Sequence, residues 1–351
     1  MNRNDIKFVE NKNKKEKPLA PPPFGSTFTN YMFHMKYNEE DGWHNPVIKP
    51  FDNFEVNPAA LCFHYGQTIF EGLKVIKKNG KRVLFRPDAN YNRMNDSAKR
   101  MCMPQIDVDF AIEATQLLIE KENDEWFYDV ENSSVYIRPF MFASYPSLNV
   151  IDSPSYEFFI ILSPMNTYFS AGKVKLRTET NYMRAASKGT GEIKNGGNYG
   201  GSFRAASDAK DEGYSQVLWL DSKEQKYVEE AGMMNVFFVV ENKLYTPKLN
   251  GSILKGITRD SVIKVAPELG YEVVEDSLDI NELVNLYKQG KLTEIFSSGT
   301  AASVQSLDTL VHNNFEMNFE NENNIAKSIY NHLESIKDGS KPDHHNFIRR
   351  F

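Results

Sequence analysis

The sequence predicts a mixed α/β (α+β) protein of two domains, on three observations. Residues 90–103 and 110–122 carry apolar side chains at helical spacing: Tyr91, Met94, Ala98, Met101 and Cys102, then Phe110, Ile112, Ala114, Leu117 and Leu118. Residues 134–143 and 156–162 are instead rich in β-branched and aromatic side chains, as buried strands are. A chain of 351 residues outgrows one small core, and the mixture of strand and helix resumes after a lapse between Pro164 and Gly172.

Taken in order, residues 1–23 read as a flexible tail, Asn-, Lys- and Glu-rich up to Lys17 and closed by Pro18 and Pro21-Pro22-Pro23. A smaller N-terminal domain is expected over 24–165, starting with short apolar runs broken by turn residues up to about Phe85. An interdomain loop follows at 166–173. The larger domain, 174–351, opens on a strand near 173–178 and a helix over 202–212 stopped by Gly213. Strands are expected at 216–220 and 236–240. Helices are expected at 258–269 (Thr258 or Asp260 near its start), 281–288 and 326–337.

Composition narrows the function. The net charge of −6 gives no reason to expect nucleic acid or an acidic membrane as partner. No apolar run approaches a membrane span, and the N-terminus has neither the apolar core of a signal peptide nor the acid-poor character of a transit peptide. The cytoplasm is the expected location. Two cysteines, Cys62 and Cys102, cannot make a disulfide framework or a four-cysteine zinc site. Cys102, between Met101 and Met103, is expected to be buried as a small apolar residue. No metal is expected.

Glu192-Ile193-Lys194-Asn195-Gly196-Gly197-Asn198-Tyr199-Gly200-Gly201 carries the strongest chemical signal. Glycines beside Lys194 let a bulky group approach the backbone, and an amine there can form a Schiff base with a carbonyl. A plain loop lysine is the alternative. Nucleotide readings fail on residue identity: no Gly-Lys-Ser/Thr triplet occurs, and a dinucleotide fingerprint from Gly189 would need glycine where Lys194 stands.

A Schiff-base lysine suggests pyridoxal 5'-phosphate, which needs three further things. Its ring nitrogen needs a carboxylate, its ring oxygen a donor, and its phosphate a cation with backbone N–H groups. Glu229-Glu230 precedes the apolar run 236–239, and 249–260 is a loop running into a helix. The small-residue stretch 297–303, Ser-Ser-Gly-Thr-Ala-Ala-Ser, offers hydroxyls and unhindered amides. Each segment is weak alone; together and in this order they are specific.

From about Phe24 onward the chain resembles the branched-chain aminotransferases of the class IV, fold-type IV family. The resemblance rests on Tyr65-Gly66-Gln67-Thr68-Ile69-Phe70-Glu71-Gly72-Leu73-Lys74, Leu84-Phe85-Arg86-Pro87 with Asn92-Arg93-Met94, and Tyr136-Ile137-Arg138-Pro139. Tyr145-Pro146-Ser147-Leu148, the Lys194 segment, Gln216-Val217-Leu218-Trp219-Leu220 and the Glu230, Gly256 and Thr300 loops extend it.

The resemblance implies two domains with the cofactor between them, and assigns roles. Lys194 would be the catalytic Schiff-base lysine and proton carrier. Tyr199 would bond the ring oxygen, and Glu230 the ring nitrogen. Arg93, Ile257, Thr258 and Thr300 would hold the phosphate, with Arg184 near the cofactor. Phe28, Phe70, Tyr136, Tyr168 and Met233 would wall the side-chain pocket. Tyr65 and Val150 would reach a partner subunit's site, which implies a homodimer. Arg138 would take the distal carboxylate of 2-oxoglutarate or glutamate, and the amides of Thr300 and Ala301 the substrate α-carboxylate. The activity implied is ping-pong transfer of the amino group of L-leucine, L-isoleucine or L-valine to 2-oxoglutarate.

Two positions depart from relatives. Met233 stands where some carry threonine, which makes the pocket more apolar. Ala302 and Gln305 stand where some animal members carry a redox-sensitive Cys-x-x-Cys, so no thiol switch is expected. Activities that share the fold are a D-amino acid aminotransferase and an aminodeoxychorismate lyase. A non-catalytic pyridoxal phosphate-binding protein is an alternative of another class.

Overall fold

The computed structural model describes residues 1–130, 133–166, 173–301, 303–320 and 324–351. The chain forms two compact units: Met1–Tyr168 with Lys194–Gly197 and Asp343–Phe351, and Phe169–Ile193 with Asn198–Pro342. Most of the expected loop at 166–173 lies outside the described residues.

The first unit contains β1 (Lys7–Phe8), β2 (Tyr31–Asn38), β3 (Gly42–Pro50), α1 (Leu61–Tyr65), β4 (Thr68–Phe70), β5 (Leu73–Lys78) and β6 (Lys81–Phe85). It continues with α2 (Pro87–Arg100), α3 (Val108–Lys121), β7 (Ser134–Ala143) and β8 (Ser155–Met165), and takes back the C-terminal strand Ile348–Arg350. One sheet runs β1-β3-β2-β8-β7-β5-β6 and on to Ile348–Arg350, with β4 also pairing β7. The β5–β6 hairpin turns on Asn79-Gly80, both at positive φ (51° and 74°), as a two-residue turn between twisted strands requires. Pro87 starts α2, where its missing N–H costs nothing. Asp107 caps α3 by accepting from the Phe110 N–H at 2.8 Å. Phe33, Met35, Phe110, Phe158 and Ile160 fill the core beneath these helices.

The second unit holds β9 (Lys175–Glu179), α4 (Gly197–Gly200, entered from the first unit), α5 (Phe203–Asp211), β10 (Gln216–Leu220), β11 (Val228–Ala231), β12 (Asn235–Val240) and β13 (Lys243–Pro247). It goes on with α6 (Ile257–Val265), β14 (Val273–Asp276), α7 (Ile280–Lys288), β15 (Leu292–Gly299), β16 (Ser303–Ser306), β17 (Thr309–His312), β18 (Phe315–Asn318) and α8 (Ile325–Asp338). Two sheets result, ordered β11-β10-β9-β17-β18 and β14-β13-β12-β15-β16. Every residue of β12 is buried, in keeping with its central place. Ala205 and Ala209 of α5 pack on Val217 and Trp219 of β10.

Four expectations need correction. The N-terminal residues are not simply a solvated tail. Lys7 and Phe8 pair in parallel with Val47 and Ile48, Ile6 is buried, and Arg3 bonds Glu120, because an edge strand offers unpaired backbone groups that few apolar residues suffice to exploit. Cys102 is exposed, not buried. It lies past the end of α2 at φ 53°, so the backbone turns and helical phase no longer sets its direction. The expected helix over 258–269 splits into α6 and a 3-10 turn, Ala266–Leu269, holding Pro267; Gly256 caps α6, and Thr258 lies near its start as expected. The expected small-residue loop is mostly sheet: Ser297 and Ser298 are buried in β15, and Ser303 starts β16.

Candidate active site

In the first unit, Lys194 sits among β4, β7 and α2. Its carbonyl accepts the Phe70 N–H at 3.1 Å, and its own N–H donates to the Ser97 Oγ at 3.1 Å. Asn195 bonds the carbonyls of Gly66 and Thr68, so the lysine is pinned on both sides. The Lys194 Nζ lies 4.6 Å from the centre of the Phe70 ring. Burial pushes the amine below the ordinary lysine pKa; the Arg93 cation adds to this, Glu71 and Tyr136 oppose it, and Arg138 lowers it further. An amine so placed is uncharged more often than a surface lysine, which nucleophilic attack on a carbonyl requires.

Arg93 and Arg138 flank the same position. Arg93 is bound by its Nε and Nη2 to the two carboxylate oxygens of Glu71, at 2.7 and 2.9 Å. Arg138 donates from Nε to the Glu71 carbonyl at 3.0 Å and from Nη2 to the Tyr136 hydroxyl at 3.2 Å. Its guanidinium also lies 4.6 Å from the Phe70 ring centre. Phe24 meets Tyr136 edge-on at 4.9 Å. Gly72 makes room for this: a Cβ there would lie 2.0 Å from the Tyr136 hydroxyl oxygen.

Of the other residues assigned in this unit, Phe28 stacks on Phe51 at 4.9 Å. Tyr65 is exposed and donates to the Leu148 carbonyl, and Val150 is 82% exposed. Tyr168 lies outside the described residues.

In the second unit, a small open cleft is lined by Arg184, Ile193, Asn198, Tyr199, Ser202, Glu230, Gly232, Met233 and Leu254. Glu230 is buried on β11. Its Oε1 accepts the Leu254 N–H at 2.7 Å and lies 3.3 Å from the Arg184 Nη2. Arg184 also donates to the Gly191 carbonyl at 3.1 Å and to that of Ser252. The β11–β12 turn runs through Gly232 at φ 57°, whose carbonyl takes the Trp219 Nε1–H at 2.9 Å. That turn leaves Met233 46% exposed beside Glu230.

The neighbouring Glu229 is also buried. It accepts from Ser252 and, at 3.2 Å, from Asn250, and burial raises its pKa. Helix α6 starts at Ile257 after Gly256, and the Asp260 N–H is bonded to the Gly256 carbonyl at 3.0 Å. The first amides of an α-helix point away from its own carbonyls, which makes this end suited to an anion. Gly256 is needed here, because a Cβ would lie 1.9 Å from the Asn235 side-chain oxygen. Thr300 and Ala301 form the turn between β15 and β16; Ala302 lies outside the described residues.

Each unit by itself holds groups of the kind that pyridoxal phosphate requires. The first unit supplies an amine of lowered pKa and an oriented arginine. The second supplies a cleft with a phenol and a buried carboxylate, and a helix start bearing a glycine cap. No role for Glu71, Gly72, Ser97 or Phe24 was legible in the sequence. A carboxylate inside the apolar stretch Ile69-Phe70-Glu71-Gly72-Leu73 was the available signal for the first.

Residues 68–308 match the family described as amino-transferase class IV. A probable branched-chain-amino-acid aminotransferase of Staphylococcus epidermidis is 45% identical over 344 residues, 96% of each chain. Among solved structures, the branched-chain amino acid aminotransferase of Escherichia coli superposes with a TM-score of 0.76 at 28% identity, covering 91% of this chain and 98% of that one. The Thermobaculum terrenum branched-chain amino acid aminotransferase in its PLP form gives 0.73 at 25% identity, covering 92% and 98%.

Proposed function

The chain belongs to the class IV aminotransferases, and from that membership we propose that it moves the amino group of L-leucine, L-isoleucine or L-valine to 2-oxoglutarate. The observation that carries this reading is the grouping of Lys194, Phe70, Tyr136 and Arg138. A branched aliphatic side chain needs the aromatic surface. The second carboxylate of 2-oxoglutarate needs the guanidinium with its tyrosine hydroxyl.

Pyridoxal phosphate, when bound, supplies a carbonyl carbon and an electron-accepting ring. The chain's own groups divide the remaining work. Arg93, the start of α6 at Ile257 and Thr258, and Thr300 would take the phosphate. Tyr199 would donate to the ring oxygen. Glu230, held by the Leu254 N–H and Arg184, would keep a proton on the ring nitrogen. Lys194, with its amine of lowered pKa, would take the proton from the substrate α-carbon and deliver it to the carbon on the far side of the amino nitrogen. The amides of Thr300 and Ala301 would hold the substrate α-carboxylate. Phe28 and Met233 would add to the side-chain walls.

A homodimer belongs to the same proposal. Phe63, Tyr65, Tyr145, Leu148, Val150 and Ile151 are all exposed. Their two segments are tied together by the Leu61 N–H to the Tyr145 carbonyl and the Ser147 N–H to the Ala59 carbonyl. So much apolar surface in one place suits a second subunit. No described helix is long and apolar enough to cross a membrane. A cytoplasmic location is part of the proposal.

An absorbance spectrum of the purified protein, taken before and after L-leucine, tests the reading. The visible band is expected to give way to a near-ultraviolet one and to return with 2-oxoglutarate, and Lys194→Ala should do neither. A band that ignores leucine but answers D-alanine would move the activity to the D-amino acid enzymes of this fold. No band with added pyridoxal phosphate would end the proposal.

A further inference from the structure

Glu71 is fully buried, at 0% exposure. Its two carboxylate oxygens bind the Nε and Nη2 of Arg93, and one of them also accepts the Gly72 N–H at 3.0 Å. Its carbonyl independently accepts the Nε of Arg138. One residue therefore fixes two guanidiniums, one through its side chain and one through its main chain. A buried ion pair contributes little net stability once desolvation is counted, so stability is a poor reason for its presence. What a two-point pair does supply is direction: the planar guanidinium cannot turn while one edge is held.

We propose that Glu71 is a positioning residue for anion binding: its carboxylate holds the Nε–Nη2 edge of Arg93 and so presets the orientation in which that arginine meets the cofactor phosphate. This rests on the assignment of Arg93 to the phosphate. The pair also bears on Lys194, where Glu71 opposes the effect of the Arg93 charge on the amine.

Charge and orientation predict opposite results for Glu71→Gln. Removing a carboxylate from beside an arginine strengthens that arginine's pull on a phosphate. Releasing the held edge weakens binding, because the guanidinium must be ordered anew each time.

The test is absorbance titration of the full-length protein, stripped of cofactor, with pyridoxal phosphate and with pyridoxal, which lacks the phosphate. Glu71→Gln is expected to weaken pyridoxal phosphate binding about tenfold or more and to change pyridoxal binding less than about twofold. Glu71→Asp keeps the charge but shortens the reach, and is expected to show the same selective loss to a smaller degree; it serves alone if the glutamine variant does not fold. Unchanged or tighter pyridoxal phosphate binding overturns the proposal. So does an equal loss of both ligands, which would mark a merely structural role. A wild-type protein that binds neither would instead overturn the cofactor assignment beneath it.

Discussion

The Ser97 Oγ accepts the backbone N–H of Lys194 at 3.1 Å, and the same hydroxyl donates to the Arg93 carbonyl at 3.0 Å. Arg93 and Ser97 are one helical turn apart on α2, so they share a face. One turn of helix thus steadies the lysine backbone and presents the arginine beside it.

Ser97→Ala removes that acceptor in a buried place, which costs about 1–3 kcal/mol. The expected outcome is a lower melting temperature together with turnover reduced by about tenfold, as the lysine loses its anchor. Steady-state kinetics at saturating cofactor check it. Wild-type turnover in a destabilised protein would reduce Ser97 to a packing residue.

The lowered pKa of Lys194 gives stability a pH dependence of definite sign. The unfolded chain, with an ordinary lysine pKa of about 10.4, binds more protons than the folded one, so this group's contribution rises with pH. Cofactor-free Lys194→Met is therefore expected to melt a few degrees above wild type near pH 7. That gap should close as the pH approaches the ordinary lysine range. Thermal melts of both proteins across pH decide it, and a gap that widens with pH would contradict the lowered pKa.

Gly72→Ala would set a methyl group 2.0 Å from the Tyr136 hydroxyl oxygen, and the tyrosine must move. Its bond to the Arg138 Nη2 is then lost. The KM for 2-oxoglutarate should rise about tenfold or more, the scale of a lost charge-assisted hydrogen bond. Cofactor affinity should hold. An unaltered KM would remove the Tyr136–Arg138 pair from substrate recognition.

Glu230→Gln keeps the acceptor for the Leu254 N–H but discards the charge. Turnover is expected to drop by orders of magnitude while the cofactor stays bound. Single-turnover absorbance on the bound cofactor reads this directly, and full activity would take the ring nitrogen away from Glu230.

Local chemistry was legible in the chain before any fold. Helical spacing located α2 and α3, β-branched and aromatic enrichment located β7 and β8, and glycines around Lys194 marked it as an amine with room beside it. These signals repeat over a few residues, where backbone geometry alone imposes the period. Sequence resemblance then extended the reading to Arg93, Tyr199 and Glu230.

What the sequence could not say depends on residues far apart along it. Ser97 and Lys194 are 97 positions apart, and Glu71 and Arg93 are 22 apart. Nothing in either neighbourhood names the other. The placing of Lys194–Gly197 and of the C-terminal strand with the first unit, the pairing of β1 with β3, and the exposure of Cys102 were likewise decided by tertiary structure. Sheet order and buried polar pairing are settled by which surfaces meet, because a buried donor or charge must find its partner wherever the fold brings one.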